Sequence, residues 1–184
     1  APASVAELTP LAPSHNERNG GAAFSPEGRH LAHFRGPSAA RVVIRELVTG
    51  LEREFPFGAP LGDGGIRWCT SDSIIATGYV GGSVVYRVNI KDGSVQRLPI
   101  TPSPLPAPLC VAGGEEIIYV PSVPAIERKL LVRRSLTSGR ETTLFEGPVE
   151  KLAGSPDGKQ PALVTVDLKE STGGVVTMAA AGGN

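Results

Sequence analysis

The sequence predicts an all-β protein in which one four-stranded unit is used about four times. Three observations carry that prediction. The apolar residues fall in short runs rich in Val, Ile and Leu, bounded by Gly, Pro, Asp or Ser, which is the length and punctuation of strands. No stretch of about 12 residues sustains a 3.6-residue apolar period, and 17 prolines interrupt most helical candidates. Turn glycines recur at Gly50, Gly93 and Gly139, spaced by 43 and 46 residues, each with an apolar residue three positions earlier: Leu47, Ile90 and Leu136.

Taken in order, residues 20–62 give the clearest unit: GGAAF (20–24), the turn SPEG, HLAHF (30–34), the loop RGPSAA, RVVIREL (41–47), a Gly turn and LEREFPF. Residues 63–105 repeat it with GIRWC (65–69), SIIATGYV (73–80) and SVVYRVNI (83–90). Residues 106–148 repeat it with CVAGG (110–114), EIIYV (116–120) and KLLVRRSL (129–136). Residues 149–184 hold an inner strand near 149–153, PALVTVDL (161–168) and GVVTMAAA (174–181), and stop one strand short. SPEG and SPDG begin 130 residues apart, about three periods. In each, Pro presets φ for a turn, Ser can bond the turn backbone and Gly supplies a positive φ, so the motif reads as a hairpin connector. Four antiparallel strands per unit of this length is the grammar of a propeller blade. Phe24, Leu31, Val43, Trp68, Ile75, Tyr86, Ile118, Val132 and Val164 are the expected layers between blades.

FSPEGRHLAHF followed by VVIRELVTG resembles the repeat of TolB-like and WD-repeat β-propellers, and AGSPDGKQPALV (153–164) resembles it again. The Trp-Asp dipeptide and the Gly-His pair of the WD type are absent, which favours the TolB-like side. The resemblance implies a propeller fold and says little about function. It leaves three closures open. Residues 4–10 (SVAELTP) can supply the missing strand of the last blade, the chain can be part of a larger ring, or two copies can form a composite ring.

Composition excludes several classes of partner. Lys+Arg and Asp+Glu are both 18, which gives no positive excess for nucleic acid or an anionic membrane. No apolar run is long enough to span a bilayer, and no uncleaved signal peptide is expected. The small, Pro-rich opening APASVAELTPLAPS looks like the start of a mature exported protein, so the expected location is periplasmic or extracytoplasmic, with cytoplasmic as the alternative. Cys69 and Cys110 read as two small buried apolar side chains rather than a disulfide framework.

Candidate chemistry is sparse. The three histidines are His15, His30 and His33; the last two point to opposite faces of one strand and read as surface or rim side chains. There is no G-x-S-x-G elbow, GYVGGS (78–83) lacks a GK[ST] ending, and neither Asp63 nor Asp157 begins a calcium-binding series. The basic ERKLLVRR (127–134) reads as a solvated blade face and SPLPAP (103–108) as a rigid connector between blades. The expectation is therefore a non-catalytic interaction module with no cofactor and no metal, binding a protein or small ligand through its loops. The loops 35–41, 78–83 and 121–128 supply the candidate contacts Arg35, Tyr79 and Arg128. The alternative is the accessory or sensor propeller of a larger peptidase or membrane kinase.

Overall fold

The structure is a computed structural model, and it describes residues 20–36, 41–57, 65–79, 81–103, 107–122, 130–147, 149–155, 160–167 and 172–177. The candidate closing strand at 4–10, His15, Asp63, Asp157 and Arg128 lie outside the described residues.

Fifteen strands form four antiparallel sheets among the described residues. The first holds β1 (Gly20–Phe24), β2 (His30–Arg35), β3 (Arg41–Glu46) and β4 (Glu52–Pro56). β5 (Ile66–Thr70), β6 (Ser73–Tyr79), β7 (Ser83–Asn89) and β8 (Val95–Arg97) make the second. In the third are β9 (Leu109–Val111), β10 (Glu116–Tyr119), β11 (Leu130–Ser135) and β12 (Glu141–Glu146). The fourth has three strands, β13 (Lys151–Gly154), β14 (Pro161–Asp167) and β15 (Thr172–Thr177). Within each sheet the strands pair in sequence order, and the four sheets are the blades of a propeller.

The turn chemistry explains the motifs. The Ser25 hydroxyl accepts the His30 N–H at 3.0 Å, the Ser25 and His30 backbones are bonded at 2.9 Å, and Gly28 takes φ 70°. Ser155 and Gln160 repeat both bonds at 2.9 Å in the fourth blade. The third turn of each complete blade is equally uniform. Gly50, Gly93 and Gly139 adopt φ of 72°, 78° and 72°, a left-handed conformation that a side chain resists. Their N–H groups bond the carbonyls of Glu46, Asn89 and Ser135. The apolar residue three positions earlier has its own task. The N–H groups of Leu47, Ile90 and Leu136 bond the carbonyls of Arg29, Asp72 and Glu115, so each later turn is tied to the earlier one beside it.

Apolar layers hold the blades together. Ala32, Phe34, Val42, Ile44 and Phe55 of blade one meet Ile66, Ile74, Ala76, Val84 and Val88 of blade two. Ile75, Val85 and Leu98 meet Cys110, Ile117 and Val132, and then Leu109, Ile118 and Leu131 meet Val149, Leu152 and Leu163. In blade four Val175 is 72% exposed and Val176 38% exposed.

Three expectations need correction. Phe24 is 66% exposed rather than part of an inter-blade layer, because β1 is an inner strand with open space before it. Val164 is half-buried and outside the layers, whereas Trp68 and Tyr86, also half-buried, do pack against the layer between blades one and two. His33 is buried, not at a surface or rim, because both faces of β2 are covered; its Nδ1 lies 3.1 Å from the Phe34 carbonyl and its Nε2 has no partner among the described residues. Cys69 and Cys110 are not two separate apolar side chains. They form a disulfide between β5 and β9, with Cα atoms 5.1 Å apart.

Blade three carries a polar cluster with a pH signature. The Tyr119 hydroxyl donates to Glu141 Oε1 at 2.7 Å, and Arg134 Nη1 donates to the same oxygen at 2.7 Å. Burial, then the bond to the Glu141 carboxylate, push the Tyr119 phenol up to about 12. The folded pKa lies above the ordinary value of 10, so the native state holds this proton more tightly than the unfolded chain. That contribution is complete below pH 10 and is lost as pH rises toward 12. Absorbance titration at 295 nm is expected to show one tyrosine ionising about two units later than an exposed one, and Glu141→Gln to bring it earlier.

Candidate functional site

The inner strands run side by side in sequence order, β1 against β5, β5 against β9 and β9 against β13. Before them lies a cavity of about 970 Å³. Blade one lines it with Ala23, Phe24, Pro26 and Glu27, and blade two with Arg67, Trp68 and Thr70. Leu109, Cys110 and Val111 come from blade three, Gly154 and Ser155 from blade four. The volume falls within the range of small-molecule sites.

β5 is the strand that organises this space. Alternation along it sends side chains to both neighbours. Trp68 turns toward blade one, where its Nε1 donates to the Ala23 carbonyl at 2.9 Å and its ring stacks on His30 at 6.1 Å. Cys69 turns the other way into the disulfide with Cys110. Arg67 reaches further, past β9, and its Nη2 donates to the Leu152 carbonyl on β13 at 3.1 Å. One strand therefore touches the inner strands of all three other blades. Close packing continues at Gly154, where a Cβ would sit 2.9 Å from Leu109 Cδ1, so an alanine there would displace Leu109.

The electrostatics are uneven. Among the described lining residues, Arg67 is the one cation and Glu27 the one carboxylate. Glu27 has company: its Oε1 is 3.3 Å from His30 Nδ1. Burial acts to raise the Glu27 carboxyl, and hydrogen bonds from its own backbone, Ser25 and His30 outweigh it, leaving the pKa lowered. Arg67 pairs with no described carboxylate. Burial pulls its pKa below the ordinary value, yet a guanidinium remains charged at neutral pH.

Of the residues expected to contact a partner, Arg35 and Tyr79 lie elsewhere. Arg35 ends β2 and is tied down, with Nη2 2.8 Å from Glu52 Oε2 and Nη1 3.1 Å from Glu54 Oε1. Tyr79 ends β6 and is 61% exposed. β6 and β7 pair antiparallel as far as Tyr79 and Ser83, so GYVGGS joins two strands rather than a strand and a helix. Arg67 escaped the sequence reading because an arginine in a strand looks like a solvated face. Counted back from the Ser-Pro turns, Ala23 and Ala153 stand where blade two has Arg67, and that contrast was the available signal.

Antiparallel blades set around a shared cavity define a β-propeller. No protein-family model and no curated protein sequence matches the chain. Solved structures do. TolB from Acinetobacter baumannii is similar at TM-score 0.66 and 18% identity, over 92% of this chain and 42% of that one. A TolB from Agrobacterium tumefaciens gives 0.64 and 16%, over 89% and 58%. A dipeptidyl aminopeptidase IV from Bacteroides ovatus gives 0.69 and 13%, over 92% and 34%. The likeness is one of fold, and the chain spans about half the length of the TolB structures or less.

Proposed function

We propose that the chain is a non-catalytic propeller module that receives a small ligand or a segment of a partner protein in the cavity before its inner strands. One observation carries this reading: Phe24, a large apolar side chain 66% exposed, faces a cavity to which all four blades contribute. Unpacked aromatic surface in a concave site is what ligands and partner segments cover. An extracytoplasmic location goes with this reading, because disulfides such as Cys69–Cys110 persist in oxidising compartments.

Trp68 is the single tryptophan and lines the cavity, so it reports occupancy directly. A neutral aromatic probe, 4-phenylbutyramide, is expected to change its fluorescence saturably, and Phe24→Ser to weaken that response several-fold while leaving the fold intact. Absence of a saturable change, or a response indifferent to Phe24→Ser, contradicts the proposal. A second reading, an accessory propeller of a longer enzyme, draws on the likeness to dipeptidyl aminopeptidase IV, of which this chain covers 34%. A hydrolase domain in the same reading frame would favour it.

A further inference from the structure

Resting on that reading, we infer that the occupant of the cavity is an organic carboxylate, its COO⁻ held by the Arg67 guanidinium and its apolar body against Phe24 and Trp68. The guanidinium has five N–H donors, of which one bond, from Nη2 to the Leu152 carbonyl, is made within the protein. None of its nitrogens is both buried and unpartnered, so the remaining donors face open space. Arg67 is also a lining residue of the cavity. Other arginines here are differently placed: Arg35, Arg41, Arg45 and Arg134 each stand within 4 Å of a carboxylate. Arg67 is a cation that the fold carries into a partly apolar concavity without a described counter-ion.

The chemistry of the walls selects the anion. With Arg67 as the one cation among the described lining residues, a dianion such as phosphate would bring a second negative charge that no lining group offsets. A monovalent carboxylate matches a single planar fork, which can engage both oxygens. Ala23, Phe24, Trp68, Leu109 and Val111 make the remaining wall largely apolar, so an acid with an aromatic or aliphatic body fits better than a small hydrophilic one. Two sources share this chemistry: a free organic acid and the C-terminus of a protein chain ending in an apolar residue.

Trp68 fluorescence separates the outcomes. 4-Phenylbutyrate is expected to bind at least tenfold more tightly than 4-phenylbutyramide, and Arg67→Gln to bring the acid down to the amide without changing the amide. Equal binding of acid and amide to the wild type overturns the carboxylate inference and leaves the cavity reading standing. Failure of both probes overturns the two together. A preference for the acid that survives in Arg67→Gln places the anion elsewhere and also overturns it, as does tighter binding of inorganic phosphate. Should Arg67→Gln not fold, Arg67→Lys keeps the charge and is expected to retain the preference for the acid; losing it contradicts the inference. An acetylated peptide ending in Ala-Phe with a free carboxylate, compared with its amidated form, distinguishes the sources. A tenfold difference there, together with tighter binding than 4-phenylbutyrate, assigns the site to a chain terminus; weaker binding than 4-phenylbutyrate assigns it to a free acid.

Discussion

Reduction of the Cys69–Cys110 disulfide is expected to lower the melting temperature by roughly 10 °C, the largest effect available without touching the core. The bond closes a loop of sequence separation 41 between blades two and three. Cross-linking a loop of that size removes chain entropy from the unfolded state worth about 4 kcal/mol. The native contribution is small, because β5 and β9 are neighbours already and apolar packing of Ile75, Val85, Ile117 and Val132 surrounds them. Melting curves followed by Trp68 fluorescence, with and without dithiothreitol, measure this. The Cys69→Ala, Cys110→Ala double variant should melt at the reduced temperature in both buffers. Identical wild-type curves in the two buffers would show that the blades do not depend on the bond.

The second large effect contrasts two phenylalanines ten residues apart. Phe34 is 1% exposed in the layer between blades one and two, among Ala32, Val42, Ile44, Phe55 and Ile74. Truncating it removes the transfer free energy of the ring and leaves a cavity that close-packed β-branched neighbours cannot fill. Phe34→Ala is therefore expected to cost about 4 kcal/mol. Phe24 is 66% exposed and lines the cavity instead. Phe24→Ala is expected to change stability by less than about 1 kcal/mol. Urea unfolding at equal slopes gives both values. A Phe24 variant as damaging as the Phe34 variant would place β1 inside a packed layer and remove the cavity.

That contrast also marks where the sequence stops being legible. Turns are local chemistry, so Ser25 with His30, Ser155 with Gln160 and the three positive-φ glycines could be read from residue types alone. The number and pairing of strands followed from them, and with that the propeller. Short β9, Leu109–Val111, left only the degenerate trace CVAGG, because three residues followed by a 3₁₀ turn leave little periodicity to detect. The site was harder to see. Whether a phenylalanine is core or cavity wall depends on which strand is innermost and on what stands in front of it. Pairing of Cys69 with Cys110, and the reach of Arg67 to Leu152, depend on inner strands of different blades lying adjacent. These are relations between residues 41 and 85 positions apart, and no local pattern encodes them. His33 shows the same limit, since its burial reflects cover on both faces of β2 rather than anything in HLAHF.

Backbone amide chemical shifts during titration with 4-phenylbutyrate test most directly whether binding occurs before the inner strands rather than at the rim. Changes are expected at Ala23, Phe24, Arg67, Trp68, Val111 and Gly154, drawn from four blades at once. Changes confined to Arg35, Tyr79 and the hairpin at 78–83 would contradict binding there and move the site to the loops.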